Sequence, residues 1–310
     1  MNGVSMACPA KINLFLRILA REDSGYHQIE TLFQAVGLYD RVEVHAGSGE
    51  GLGLEVRSGA TGPGLGDITA EVGDAEENTV LRAARAFFGA TGIVPSARLV
   101  LTKRIPAGTG LGGASSDAAG TLAALNALQG EPLSRRQIVE LGGRVGADVP
   151  FFCAGAPTAL AWGRGDRLLA CPAPPRAPVV VVVPRERTST ASAYRGVSAK
   201  LALPARPTLL RGIDGGNWKA LATLQHGNDF ERVTFPGAPA LAELCDTLAS
   251  SGALVARMTG SGSALFGVFE DRNGADAAAA KAGELDGVAA AFVVPTLTEM
   301  PTPQRIRSKM

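Results

Sequence analysis

Between Pro106 and Ala119 the chain reads Pro-Ala-Gly-Thr-Gly-Leu-Gly-Gly-Ala-Ser-Ser-Asp-Ala-Ala, with glycines at 108, 110, 112 and 113. Upstream, Arg98-Leu99-Val100-Leu101-Thr102 has the composition of a strand, and downstream Ala118, Leu122, Leu125 and Leu128 recur at helical spacing. The glycines therefore sit where a strand turns into a helix, with Ser115 and Ser116 as N-cap candidates. Bare backbone can approach an anion closely and aim successive N–H groups at it, while a helix N-terminus adds partial positive charge. A polyphosphate is the natural occupant. A turn that only packs a helix on a sheet has no use for so many flexible residues.

The chemistry separates the loops that share these letters. Gly108, Gly110 and Gly113 satisfy G-x-G-x-x-G, but about 20 residues on, where a dinucleotide fold needs an acid, the chain runs Gly130-Glu131-Pro132. Ala114 stands where a P-loop requires its phosphate-gripping Lys. A protein-kinase Gly-rich loop would lead into a strand, not a helix. The stretch resembles instead the Pro-x-x-x-Gly-Leu-Gly-Gly-x-Ser-Ser loop of the galactokinase, homoserine kinase, mevalonate kinase and phosphomevalonate kinase superfamily, the GHMP kinases. Pro9-Ala10-Lys11-Ile12-Asn13-Leu14 and Thr259-Gly260-Ser261-Gly262-Ser263 match two further signatures of that superfamily, so the resemblance spans most of the chain.

The resemblance implies an α+β, two-domain GHMP-kinase fold. Residues 1–160 would form the N-terminal α/β domain with the ATP loop, and 161–310 a ferredoxin-like α+β domain, with the active site in the cleft between them. Length agrees: 310 residues suffice for two domains. A formal net charge of +1 gives no field for nucleic acid or an anionic membrane, so neither is expected as a partner. Cys8, Cys153, Cys171 and Cys245 lack metal or disulfide spacing and read as buried free thiols. With no leader and no long apolar window, a cytoplasmic protein is expected, a monomer or a weak homodimer.

Along the chain, Ile12, Leu14, Leu16 and Ile18 alternate with Lys11, Asn13 and Arg17, the period of a half-buried strand that puts Lys11 and Asn13 on one face. Segments 41–46 and 52–57 read as an antiparallel pair, and 59–66 as a mobile Gly-rich stretch. Asn78 opens a helix whose Val80, Ala84, Phe87 and Phe88 face inward; Ser134-Arg135-Arg136-Gln137 is a capping box. Asp148, in Gly146-Ala147-Asp148-Val149-Pro150, is one carboxylate at a helix-to-strand junction between apolar stretches. A charge there needs a partner or a job. Beyond Val179–Val183 the pattern is strands and Ala-rich helices, ending in a frayed basic tail at 305–309.

Within the resemblance Lys11 and Asp148 are the catalytic pair. Pro106, Ala107, Gly108, Thr109, Gly110, Leu111, Gly112, Gly113, Ala114, Ser115 and Ser116 hold the ATP phosphates, and Asn78 and Lys103 border the adenine; unaided, the last two read as a cap and a surface charge. Gly260 to Ser263 is either a tight hairpin or a second backbone cradle. Asp23-Ser24-Gly25-Tyr26-His27 resembles an element of one branch, in the non-mevalonate isoprenoid pathway, where Tyr and His contact a cytosine. An aromatic beside an imidazole can stack on a base and bond its edge, although a surface turn is the plainer reading. That branch binds ATP and Mg²⁺ and phosphorylates the 2-hydroxyl of a cytidine diphosphate derivative of 2-C-methyl-D-erythritol. Asn13, Tyr26 and His27 are then substrate-binding, and no metal ligand is assigned. A homoserine, mevalonate or sugar kinase would have no use for Tyr26 and His27. A nucleotide-binding regulator without catalysis would need the glycines but not the Lys11–Asp148 pair.

Overall fold

Two long strands, β1 (Asn2–Arg21) and β2 (His27–Ala46), pair antiparallel along nearly their whole length and form the seam of the molecule. The computed structural model describes residues 2–47, 49–59, 78–187, 193–197, 217–222 and 227–307. Most of the Gly-rich 59–66 stretch lies outside them.

Next come β3 (Gly51–Ser58), α1 (Thr79–Thr91), β4 (Ser96–Lys103), α2 (Gly113–Leu128), α3 (Arg135–Val145), α4 (Val149–Ala154), β5 (Thr158–Gly163) and β6 (Arg167–Ala170). The second half holds β7 (Pro178–Pro184), α5 (Trp218–Ala222), α6 (Glu231–Thr234), α7 (Pro239–Ser250), β8 (Val255–Met258), β9 (Leu265–Val268), α8 (Arg272–Gly283), β10 (Val288–Pro295) and β11 (Gln304–Arg307). One sheet runs β11-β1-β2-β4-β3, with β5 and β6 continuing from the early part of β2. The other runs β10-β7-β9-β8, and with α7 and α8 it has the β-α-β-β-α-β order of a ferredoxin-like fold. The change of sheet falls between Ala170 and Pro178, so the expected junction at 160/161 lies inside β5.

Four apolar cores result among the described residues, the fourth formed by Leu16, Ile18, Ile29, Phe230 and Met258. Met6, Cys8, Val42 and Val44 meet Phe87, Leu122 and Leu125 under the helices of the first half. Ile12, Leu14, Phe15 and Leu32 face Val179, Val181 and Phe266, joining the two sheets. Val180, Val182 and Leu265 bury the far side of the second sheet under Leu241, Leu244 and Ala278. β1 contributes to the first, second and fourth, with register shifts between Pro9 and Ala10 and between Asn13 and Phe15. It is therefore buried on both faces, Lys11, Asn13 and Arg17 included, where alternation suggested only one. Bulges re-aim successive side chains, which a period-2 pattern does not foresee.

Two other expectations change. Segments 41–46 and 52–57 are not neighbours: β4 lies between them, antiparallel to β2 and parallel to β3. Leu99, Val100 and Leu101 are all buried and need a central place, whereas β3 is partly exposed and suits an edge. The basic tail is not wholly frayed, because β11 pairs with β1 through Gly3↔Ile306 and Ser5↔Gln304. Open backbone groups on the edge of β1 outweigh the polar character of four residues. The helix caps follow the sequence, with Asn78 Oδ1 accepting from Val80 N and Ser134 and Gln137 forming the capping box.

A chain ended at Pro303 loses this pairing. Its Tm is expected to fall by about 2–4 °C in calorimetry, the scale of roughly 1 kcal/mol in a chain this long. An unchanged Tm would show that β11 adds no stability.

Candidate active site

Between β4 and α2 the chain passes Gly108 and Gly110 at φ +67° and +82°, then enters the helix from Gly112 at φ +76°. Gly112 is the N-cap, so Ser115 and Ser116 lie in the first helical turn and do not cap it. With no capping side chain, the N-terminal N–H groups are left for an anion. Two glycines are demanded by close approach. A Cβ at Gly110 would stand 2.1 Å from the Thr259 carbonyl oxygen, and one at Gly112 3.0 Å from the Lys11 side chain. The loop is thus pressed between the third signature and the first.

Lys11 begins under that loop, its N–H donating to the Leu111 carbonyl at 2.9 Å. Its ammonium, on a residue only 2% exposed, donates to Asn13 Oδ1 at 2.6 Å and lies 3.8 Å from Asp148 Oδ2 and 5.3 Å from the centre of the Phe33 ring. Burial pulls the Lys11 pKa below the ordinary lysine value, and Asp148 only partly restores it. Asp148 occupies the N-cap position of α4, so it sits at a helix-to-helix junction; Val149 to Phe152, expected as a strand, are helical because Pro150 suits a first turn.

Asn13 is the joint of the site. Its Oδ1 accepts from Lys11 Nζ and from Gly260 N at 2.8 Å, with Thr259 Oγ1 at 3.1 Å, while its Nδ2 donates to Thr31 Oγ1 at 2.8 Å. The Thr259–Ser263 turn packs on the Gly-rich loop, Thr259 Oγ1 lying 3.2 Å from the Gly110 carbonyl, and Asn228 Nδ2 donates to the Met258 and Gly260 carbonyls behind it.

Lys103 is not a surface charge. It is buried below the loop and ion-paired with Asp40 and with Asp117, the latter at 2.7 Å. Asp40 Oδ1 in turn accepts from Ile105 N at 2.8 Å. Attraction from both acids outweighs the desolvation of Lys103 and holds its pKa up. Burial pushes the Asp117 carboxyl up to about 8, against Lys103 and with the help of Asp40. Its Oδ1 has no hydrogen-bond partner among the described residues.

All of this opens on one cleft of about 1060 Å³. Loop residues 106–115, Lys11, Asn13 and Asp148 line it, with Asn78 and Thr79 beside the loop, where Thr79 Oγ1 donates to the Ala114 carbonyl at 3.0 Å. Ser116 is buried behind the lining. Tyr26 and His27 line the same cleft. The His27 ring is 4.9 Å from that of Tyr194, which stands edge-on to Phe230 at 4.8 Å. Burial, then Arg21, lowers the His27 pKa, which favours the neutral imidazole. Burial pushes the Tyr194 hydroxyl up to about 12, so it remains a donor. Asp40 and Arg164 carried no sequence signal; Phe230 lies in Asn228-Asp229-Phe230-Glu231, which resembles a structural segment of the family, and Tyr194 ends the 185–194 stretch, unreadable by pattern, where similar proteins place a substrate-facing loop and of which only 185–187, Ala193 and Tyr194 are described.

A phosphate cradle, a buried ammonium beside a carboxylate, and an aromatic–imidazole pair in one cleft define a small-molecule kinase. Comparison with known proteins agrees. Residues 78–156 match the GHMP kinases N terminal domain and 205–285 the GHMP kinases C terminal domain. The 4-diphosphocytidyl-2-C-methyl-D-erythritol kinase of Syntrophotalea carbinolica is 38% identical over 94% of this chain and 98% of its own length. That of Solibacter usitatus is 37% identical over 85% of this chain and 80% of its own. A crystal structure of 4-(cytidine 5'-diphospho)-2C-methyl-D-erythritol kinase superposes with TM-score 0.74 at 34% identity, covering 94% of this chain and 98% of that one. Homoserine kinase from Cytophaga hutchinsonii, at 17% identity and TM-score 0.75, shares the fold. The chain belongs to the 4-diphosphocytidyl-2-C-methyl-D-erythritol kinase family of the GHMP kinases.

Among the described residues no cluster of three or more His, Cys, Asp or Glu side chains could hold a metal by itself, and no helix is long and apolar enough to cross a membrane.

Two outcomes follow from the loop and the triad below it. Gly110→Ala drives a methyl group into the Thr259 carbonyl and is expected to lower kcat/KM for ATP by about 10²-fold, the scale of an ångström-sized misplacement. For Asp117, the folded pKa lies above the unfolded one. Its contribution to stability is complete below about pH 4 and is lost as pH rises to about 8. Asp117→Asn has no such slope, so its Tm, relative to the parent, should rise between about pH 5 and pH 8 in thermal melts. A constant difference would place an ionised carboxylate at 117.

Proposed function

We infer that this chain transfers the γ-phosphoryl group of ATP to the 2-hydroxyl of 4-diphosphocytidyl-2-C-methyl-D-erythritol, giving the 2-phosphate. The observation that carries the reading is the identity of 35–38% with kinases of that name over most of the chain. The sharing of one cleft by Lys11, Asp148, Tyr26 and His27 supports it.

Phosphoryl transfer through a loose transition state needs alignment and charge neutralisation more than covalent help. The loop amides and the N-terminus of α2 take the polyphosphate. Lys11 has one hydrogen on Asn13 and others for the transferred oxygens or the attacking hydroxyl. Asp148, its side chain about a third exposed, faces the cleft and orients that hydroxyl. With the Lys11 ammonium 3.8 Å away, Asp148 orients the hydroxyl and accepts its proton late in the transfer rather than abstracting it first. At the far end Tyr26 stacks on the cytosine and His27 bonds its edge, which places the tertiary alcohol at Asp148. The residues fit a magnesium ion carried mainly by the nucleotide. Asp117 is committed to Lys103 and Asp166 to its own turn, leaving Asp148 and the hydroxyl of Ser115 as protein ligands. Such an ion supplies charge neutralisation on the phosphates.

A coupled ADP-release assay tests the reading. Release with the cytidine diphosphate substrate but not with homoserine or mevalonate is expected, and the reverse selectivity would overturn it. Asp148→Asn should lower kcat by about 10²–10⁴-fold with the KM for ATP within about twofold; near-normal turnover would remove Asp148 from the mechanism. Because the Lys11 pKa is lowered and the protonated form is the working one, kcat/KM should fall at alkaline pH below the titration of an ordinary lysine.

A further inference from the structure

The turn between β5 and β6 carries an arginine that phosphate chemistry does not use. Arg164 lies between Gly163 and Gly165, both at positive φ, with its N–H donating to Asp166 Oδ1 at 3.1 Å and Gly165 N donating to the Trp162 carbonyl at 3.2 Å. Its backbone is thereby held, and its side chain reaches across to the turn that presents Tyr26. Nε donates to Glu22 Oε2 at 3.1 Å, Nη2 to the same oxygen at 2.5 Å, and Nη2 lies 3.3 Å from Ser24 Oγ. Ser24 Oγ donates to Glu22 Oε2 at 2.8 Å, and Glu22 N donates to the Tyr26 carbonyl at 2.8 Å, so the 22–26 turn is closed on itself and on Arg164. The guanidinium carbon stands 4.2 Å from the centre of the Tyr26 ring.

Tyr26 is nevertheless 60% exposed. With one face under Arg164, that exposure belongs to its edge and its other face, on a ring that lines the cleft. An aromatic side chain on an exposed turn loses rotamer freedom when a base stacks on it, and that loss weakens binding. A ring already held from behind by a planar cation has little left to lose.

We propose that Arg164 is a positioning residue for the substrate base: anchored to Glu22 and Ser24, it lies over one face of Tyr26 and holds the ring so that the opposite face receives the pyrimidine. This rests on the reading of Tyr26 as the stacking residue. Arg164 touches neither the phosphate loop nor the Lys11–Asp148 pair, so its effect falls on binding of the cytidine end and not on transfer. The exposed Arg164–Glu22 pair adds little to stability, and removing it leaves the fold intact.

The experiment compares the parent protein with Arg164→Ala, Tyr26→Leu and the double variant. It measures steady-state constants with the cytidine diphosphate substrate and inhibition constants for cytidine and for CDP. Arg164→Ala is expected to raise the KM for that substrate by about 3- to 10-fold, with kcat and the KM for ATP unchanged. It should weaken cytidine and CDP by the same factor, and this loss should vanish in the Tyr26→Leu background. Unchanged cytidine inhibition, or a loss confined to CDP, overturns the proposal; the second result would assign Arg164 to the diphosphate. Additive losses in the double variant overturn it too. If Tyr26→Leu itself leaves cytidine inhibition unchanged, the base-binding reading falls and this inference with it. A loss for Tyr26→Leu without one for Arg164→Ala sinks this inference alone.

Discussion

A protonated amine sealed at the seam of two sheets is the constraint on which the rest of this structure depends. Taking an ammonium out of water costs several kcal/mol, and it stays charged only with partners in place. Lys11 has one short hydrogen bond, to Asn13, and a looser carboxylate, Asp148. Asn13 can serve because Gly260 N and Thr259 Oγ1 converge on the same oxygen and Thr31 takes its amide. The second half of the chain therefore reaches Asn13 through the Gly260 backbone and the Thr259 hydroxyl, and the buried cation is held by residues from both ends of the sequence.

The same economy governs the phosphate loop. Its attraction for an anion comes from amides and a helix N-terminus, which carry no counter-ion and no desolvation cost of a full charge. The nearby buried charges, Lys103, Asp40 and Asp117, are spent on one another. With both acids ionised, that triad would set net negative charge behind a polyphosphate. Burial raises the Asp117 pKa and so lessens that charge, and the contact of Asp117 with Lys103 ties the end of β4 to the first turns of α2. Gly110, flush against Thr259, then joins the cradle to the second sheet, so the cleft is one piece rather than two facing walls.

Legibility in the sequence followed the range of the forces concerned. The Gly-rich loop, the Asn78 cap and the Ser134–Gln137 box are short-range backbone chemistry and could be read from a few adjacent letters. Lys11 and Asn13 were placed on one face by strand period alone, and they are hydrogen-bonded there. Strand order was not legible. β4 inserts between β2 and β3 because three consecutive apolar residues need cover on both sides, a demand settled only once the sheet exists. The polar β11 became a strand for want of a partner on the edge of β1. Tyr194 and Arg164 reach the cleft from segments without any pattern of their own.

The sequence by itself determined the chemistry available: a bare loop for phosphates, a lysine and an aspartate, an aromatic beside an imidazole, and two sets of strands and helices to carry them. Those are properties of residue type and local spacing, which neighbours along the chain suffice to express. Only the tertiary structure decided that Asp148 stands 3.8 Å from Lys11, that Thr259 and Gly260 hold Asn13, and that Lys103 is a buried tie rather than a surface charge. Distances of that kind arise from bulges, strand order and desolvation, which act across separations from 14 to 247 residues and leave no periodic trace in the sequence.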